Sequence, residues 1–427
     1  MTLTGKRAIY RGVVTVNEQH VAPGPKPKPR LEARDIQGLK YFKLIRDLLE
    51  RLHGHKDCPN RKLHYDEYAS LLMLYFLNPV LTGLRSIQQA SGLRNVQNKM
   101  GVNRASLGSL SEAQHVFDPA LLGEIFQELA EQTVAADAAK RPQGLAEELD
   151  VVAYDGTLLK ALPRMVWALW QDQEHRGVKV HLEFDVLRSV PRAARVTEAN
   201  ASEIEVVRQG LAPGKVYLLD AGYVEYAFYE HIRQAGSSFV ARLHDNAAYD
   251  IVQERELSDD DVAAGVTFDR VVRLGSKPTQ GDLSAPVRLV QVHVKSPPQL
   301  GLARRRSKVS SKKTFRHRPE EYDLLLVTDL MGLSAAVIAA LFRYRWLIEL
   351  FFRWFKCVLG FEHLVCEKPE GVQIMVYCAL IVSLLITLWT GRKPTKRTLE
   401  MIQLYFQGWA ELDELEAHIE GLRTAAD

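Results

Sequence analysis

The segment Leu341 to Phe355, LFRYRWLIELFFRWF, constrains the fold of this chain more than any other stretch. It is apolar almost all round, so a helix here belongs in a protein interior. Yet Arg345, Glu349, Arg353 and the following Lys356 interrupt it. At ~100° per residue, Phe342, Arg345, Glu349, Arg353 and Lys356 fall within an arc of about 80°. An unpaired buried charge is very costly, so this stripe must face partners. The helix alone leaves two readings open: an internal Arg345–Glu349 pair at i,i+4, or charges held ready for a functional site.

Two further acids sit in equivalent places upstream. The apolar run Asp150 to Tyr154 ends at Asp155-Gly156-Thr157, and Val216 to Leu219 ends at Asp220-Ala221-Gly222-Tyr223. Each acid is followed closely by glycine, which lets the backbone turn sharply beside the side chain. Acids at the C-terminal ends of strands lie at the usual functional edge of an α/β sheet. Taken singly, an Asp that opens a turn also has a structural reading.

The rest of the chain frames these three acids. Residues 1–35 hold the proline-rich basic run PGPKPKPR and are expected to form an extended tail. Residues 36–145 carry helical periodicity, with a helix start at Asp118-Pro119 and with Arg85, Arg94, Lys99 and Arg104 near turns. A helical DNA-binding module fits this pattern, and so does a plain bundle with a solvated basic rim. From residue 146 to 243 the pattern becomes strand-rich and then alternating: Lys179 to Leu187 has period two, Val190 to Thr197 can pair with it, and a helix separates Val216–Leu219 from Phe239–Arg242. An α/β sheet with an early antiparallel portion follows. Residues 244–322 read as a β-rich insertion, 323–360 as the resumed core with a long helix from about Ser334 to Val358, and 361–427 as a helical C-terminal region.

In this setting the three acids match a family. Arg345, Glu349 and Lys356 stand in the register of the Y-x-x-R-x-x-x-E-x-x-x-x-x-x-K signature, and the segment resembles that of the DDE transposases of bacterial insertion sequences, the insertion sequence four family. The blocks DGT at Asp155 and DAGY at Asp220 resemble the first two catalytic blocks of the same family. The resemblance implies a ribonuclease-H-like catalytic core interrupted by a β-rich insertion and flanked by helical regions. It also implies that Asp155, Asp220 and Glu349 form a catalytic, metal-binding triad holding two Mg²⁺ ions, with Mn²⁺ able to substitute. Arg345 and Lys356 would contact DNA phosphates, with Arg353 on the same stripe. The partners so implied are double-stranded DNA, both element ends and target, and a second copy of the chain in a paired-end complex. A catalytically silent DNA-binding derivative and a metal-dependent nuclease on the same core are the alternatives. Two departures stand out. The signature Tyr is Phe342, and no Trp lies between Asp245 and Asp323, so either the hairpin step that such a Trp serves in relatives is absent or the base stacking falls to Tyr249, Phe268 or Phe315.

Several other features narrow the function. Lys plus Arg is 55 against 52 for Asp plus Glu, so a basic surface must be local. The strongest local field is RRRSKVSSKKTFRHR, with Arg304, Arg305, Arg306, Lys308, Lys312 and Lys313, which reads as a phosphate-tracking loop or as a solvated one. Four cysteines do not make a disulfide framework. Cys357, Cys366 and Cys378 read as core thiols, and His53, His55, Cys58 and His64 as a polar surface loop more readily than as zinc ligands. Lys179 and His181 share one face of a strand, open either to solvent or to a phosphate. The apolar run Ile374 to Trp389 falls short of the roughly 20 residues a bilayer needs and reads as a buried helix. No signal peptide and no P-loop or dinucleotide fingerprint is read, so the expectation is a cytoplasmic, nucleoid-associated protein with no membrane and no nucleotide cofactor.

Overall fold

The computed structural model describes residues 49–55, 60–135, 138, 140–161, 164–170, 172–275, 283–295, 321–358 and 364–424. Residues 49–53 are helical, and the helices α1 (Tyr65–Leu77), α2 (Leu84–Ser91), α3 (Arg94–Met100), α4 (Leu107–Val116) and α5 (Pro119–Gln132) follow. Asp118 caps α5 as its sequence promises, accepting from the Ala120 amide at 2.9 Å. Strands β1 (Asp150–Lys160), β2 (Leu169–Trp170), β3 (Asp172–Asp185) and β4 (Val190–Glu198) follow, then α6 (Glu203–Gln209), β5 (Lys215–Leu219), α7 (Tyr226–Gln234) and β6 (Ser238–Arg242). The next part comprises β7 (Tyr249–Glu254), α8 (Asp259–Ala263), β8 (Val266–Leu274) and β9 (Val287–Lys295). The chain closes with β10 (Glu321–Thr328), α9 (Ala335–Tyr344), α10 (Trp346–Val358), α11 (Pro369–Thr390), α12 (Lys396–Phe406) and α13 (Leu412–Thr424).

The fold is mixed α/β around one sheet, ordered β2-β3-β1-β5-β6-β10-β9-β8-β7 with β4 on β3. β1, β3 and β4 pair antiparallel, and β1, β5 and β6 pair parallel. The strands after β6 do not form a separate layer. β10 pairs antiparallel with β6 on one side and with β9 on the other, so β7 to β9 extend the same sheet. β10 makes this possible by pairing along both of its edges.

Side chains alternate across the central strands. Val151 and Ala153 of β1 and Val216 and Leu218 of β5 join one core with α1, α5, α9, α10 and α11. Val152, Tyr154, Tyr217 and Leu219 point the other way, onto Val207 of α6 and Phe228 and Ile232 of α7. Two helical layers therefore sandwich the sheet, as α/β architecture requires.

The apolar C-terminal run becomes α11, which is 22 residues long and starts with Pro in its first turn. Length and composition would allow it to cross a membrane, yet it is buried along most of its length. It packs on α1, α4, α5, β4 and α13, so the helices before the sheet and those after it share one core. Burying each of its large apolar side chains contributes roughly 1.5–3 kcal/mol, which explains a helix apolar on every side. Cys366 and Cys378 are buried thiols here, and Cys366 Sγ lies 3.3 Å from the Tyr68 hydroxyl.

Candidate active site

Asp155 does not open a turn. β1 runs straight through it to Lys160, because β3 keeps pairing with β1 as far as Lys160 opposite Gly177. The parallel ladder to β5 stops earlier, at Ala153 opposite Leu218. Carried two residues on, that register sets Asp155 beside Asp220, just where the β5 side of β1 becomes free. Alternation turns both acids toward the face covered by α10. Each is fixed by a backbone amide: Gly156 N–H donates to Asp155 Oδ1 at 2.8 Å, and Ala221 N–H donates to Asp220 Oδ1 at 2.8 Å.

The third acid arrives on α10. The long helix expected from Ser334 to Val358 is two helices that meet at Arg345, whose amide bonds back to Phe342 and whose carbonyl accepts from Ile348. These tighter i→i−3 bonds break the regular helix at the charged residue. Arg345 is 8% exposed. Its Nη2 lies 2.6 Å from Glu349 Oε1 and 3.8 Å from Asp220 Oδ2. The internal pair read from the sequence thus exists, and it also faces an acid from another element. Phe342 is buried beneath the guanidinium, with the Arg345 Cζ 5.6 Å from the ring centroid. That contact gives a physical role to Phe at this position, since an aromatic face stabilises a desolvated cation.

Burial pushes the Asp155 carboxyl up to about 6. The Gly156 amide and the Arg345 cation oppose this, while Glu203 and Glu349 add to it. Asp155, Asp220, Glu349 and Arg345 thus form one electrostatic unit. Three hard carboxylates suit a divalent cation in chemistry. Among the described residues, however, no three His, Cys, Asp or Glu side chains stand close enough to hold one ion as they are. The positive charge among them is the Arg345 guanidinium.

The remaining sequence-derived residues scatter. Arg353 is exposed and Lys356 half-buried, further along α10. Arg353 lies on the charged stripe read from the sequence, and Trp346 and Leu350, read there as part of the apolar surround, are exposed beside it. Arg304, Arg305, Arg306, Lys308, Lys312, Lys313 and Phe315 lie outside the described residues, as does Cys58. Lys179 and His181 face neither solvent nor a free phosphate site. Lys179 pairs with Glu203 at 3.0 Å, and His181 is fully buried with Nε2 2.8 Å from the Thr197 hydroxyl. His53 bonds the buried Asp66 at 3.0 Å and stacks on His64.

A groove of about 1160 Å³ opens beside Asp220 and Arg345. The strands after β6 supply Tyr249, Phe268 and Lys295, β6 supplies Arg242, and the α9–α10 elbow supplies Phe342, Arg343 and Trp346. α9 is clamped to the strand extension. Asp261 accepts from the Ala336 amide at 2.7 Å, and Arg288 forks onto Asp269 at 2.6 and 2.8 Å while donating to the Leu330 and Leu333 carbonyls. Sequence reasoning missed Asp261, Asp269, Arg288 and Glu203. Asp269 and Arg288 carry no motif, and the spacings Ser202-x-x-Glu205 around Glu203 and Ser258-x-x-Asp261 mark only helix starts.

Burial holds His181 neutral, its imidazole pushed down to about 4. Below about 6.5 the unfolded chain takes up a proton that the folded chain refuses, so this residue removes stability as pH falls from about 6.5 toward 4. Tm measured across that window is expected to fall less steeply for His181→Gln than for wild type. Parallel Tm profiles would contradict a buried neutral imidazole.

Comparisons with known proteins bear on the same region. Residues 147–385 match the family model described as Transposase DDE domain. A protein named as transposase y4zB of Sinorhizobium fredii is 29% identical over 216 residues, 49% of this chain and 53% of that protein. A protein of Geobacillus stearothermophilus, named as transposase for insertion sequence element IS5377, is 25% identical over 262 residues, 58% of this chain and 60% of that protein. The chain therefore spans less than two thirds of either relative. A cryo-EM structure of the piggyBac transposase synaptic complex with hairpin DNA aligns at 9% identity and a TM-score of 0.42, covering 92% of this chain and 86% of that one, a likeness too low to carry an argument.

Proposed function

The chain belongs to the transposase DDE domain family, and from that premise we propose that it is a DNA transposase acting on the ends of an insertion sequence. The observation that carries this reading is the convergence of Asp155, Asp220 and the Arg345–Glu349 pair at one sheet edge beside a groove lined by aromatic side chains and by charges of both signs. The order Asp155, Asp220, Arg345, Glu349, Lys356 supports the insertion sequence four family in particular, and the order of β4, β3, β1, β5 and β6 supports a ribonuclease-H-like core extended by β7 to β9.

In this reading Asp155, Asp220 and Glu349 would hold divalent cations, two Mg²⁺ or Mn²⁺ ions, which would supply charge to the attacking and leaving oxygens of an in-line phosphodiester displacement. The chain's own groups do the rest. Arg345 exchanges its carboxylates for a DNA phosphate, which its planar fork can bind through two hydrogen bonds. Arg353 and Lys356 continue the phosphate track along α10. The strand extension, clamped to α9 through Asp261 and Arg288, fixes the elbow that presents Glu349. One such site can direct water at the element end and then direct the freed 3′-hydroxyl at target DNA, with no covalent protein nucleophile. Two ends need two sites, so the active form is a homodimer on paired ends. End recognition falls to residues 36–145, where Arg85, Arg94 and Arg104 are exposed.

Asp155→Asn, Asp220→Asn and Glu349→Gln are each expected to abolish cleavage of a labelled element end in Mg²⁺ while end binding stays near wild type. Near wild-type nicking by one variant would remove that residue from the site. With the wild-type protein, binding alone would mark a silent derivative, and cleavage without joining would mark a nuclease.

The basic run from Arg304 to Lys313 reads as a phosphate-tracking loop over the bound end. Each phosphate contact makes log K fall with log salt at a slope of ~0.9, without sequence preference. Neutralising Arg304, Arg305, Arg306 and Lys308 together should weaken specific and random DNA alike and flatten the salt slope by roughly one unit per lost contact. A salt titration with unchanged slope and affinity would make the run a solvated loop.

A further inference from the structure

Asp155 and Asp220 share a sheet edge without sharing backbone hydrogen bonds. The β1–β5 ladder ends two residues before them, so something else must hold the two strand ends together. The groups that do so lie on the opposite face of the sheet. Gly156 and Tyr154 point there, and so does Lys179 of β3, whose register partner on β1 is Leu158. Glu203, the first residue of α6, lies against this face. Its Oε1 is 3.0 Å from Lys179 Nζ, and its Oε2 accepts from the Tyr223 hydroxyl at 2.9 Å. Tyr223 is buried and closes the 3-10 turn Ala221–Tyr223, which Asp220 caps. One carboxylate therefore grips the strand pair that carries Asp155 through Lys179, and the turn that carries Asp220 through Tyr223.

Gly156 makes this grip possible. A Cβ there would come within 3.2 Å of the Glu203 carboxyl and 3.3 Å of the Lys179 side chain. Both are tighter than ordinary van der Waals contact. The residue beside Asp155 is thus glycine for a packing reason, since β1 does not turn at this point.

We propose that Glu203 is a positioning residue for the reaction, a clasp that joins the segments bearing Asp155 and Asp220 through Lys179 and Tyr223 and so sets the spacing of the two carboxylates that receive the divalent cation. The proposal rests on the reading of Asp155 and Asp220 as cation ligands. It makes Glu203 act through its neighbours and assigns it no bond to cation or DNA.

The test uses the full chain and two readouts: Mn²⁺ binding by calorimetry without DNA, and the Mg²⁺ dependence of end cleavage, separated into the half-saturating concentration and the rate at saturation. Tyr223→Phe keeps the buried ring and removes only the hydroxyl. Glu203→Gln keeps the shape and removes the charge. Removing supports around metal ligands typically costs 10–100-fold in affinity, so both variants should weaken Mn²⁺ binding and raise the half-saturating Mg²⁺ by about tenfold or more. End-DNA affinity should stay at wild type. Combining the two substitutions should cost little more than either alone, because both open the same clasp. A merely structural role would lower Tm and leave the metal dependence of the folded protein unchanged, and that result in Tyr223→Phe overturns the proposal. Asp155→Asn is the control. Wild-type Mn²⁺ binding by that variant would bring down the cation-site reading and the clasp with it. Impaired binding by Asp155→Asn beside wild-type behaviour of Glu203→Gln and Tyr223→Phe would overturn the clasp alone.

Discussion

Carboxylates gathered at a half-buried corner repel one another unless a cation stands among them, and in this protein that cation is Arg345. Its guanidinium reaches Glu349 at 2.6 Å and Asp220 at 3.8 Å, and its charge also lowers the cost of ionising Asp155. The arrangement around it serves this one group. Phe342 supplies an aromatic floor, the chain departs from regular helix at Arg345, and the strand extension grips α9 on the other side of the elbow. One guanidinium thereby couples acids carried by β1, by the turn after β5 and by α10.

The sheet explains why these acids meet. β1 belongs to two ladders of different length, and the shorter one ends at the level of the acids. That step leaves Asp155 and Asp220 adjacent with an open edge beside them, where the groove begins. The long antiparallel ladder to β3 then keeps β1 rigid beyond Asp155, and rigid elements hold carboxylates in place better than loops do. The extension β7 to β9 continues the sheet past β10, so its aromatic and cationic side chains face the same groove as Asp220.

How much of this the sequence discloses depends on whether the signal is local. Arg345 and Glu349 are legible because two charges on an apolar helix violate its own pattern. Asp155 and Asp220 are legible because each ends an apolar run, although the sequence suggests a turn at Asp155 where β1 in fact continues. The apolar run at Ile374 is legible as a buried helix, but its place between α1, α4, α5 and β4 is not, since those partners lie hundreds of residues away in the chain. Glu203 and Arg288 leave no trace in spacing, and Ser258-x-x-Asp261 shows only a helix start, not the Asp261 bond to the Ala336 amide. Each is an ordinary charged residue whose importance comes from what the sheet brings opposite it. The exposure of Trp346 and Leu350 is illegible for the reverse reason: hydrophobicity alone does not tell a covered face of a helix from an exposed one.

The central claim is that Asp155, Asp220 and Glu349 form one cation site for which Arg345 stands in. Anomalous diffraction from crystals of the full chain soaked in Mn²⁺ tests it most directly. The account predicts manganese density between the Asp155 and Asp220 carboxylates, with the Arg345 guanidinium withdrawn from Asp220. Manganese bound elsewhere, or Arg345 still on Asp220 with the ion absent from that edge at saturating Mn²⁺, would contradict it.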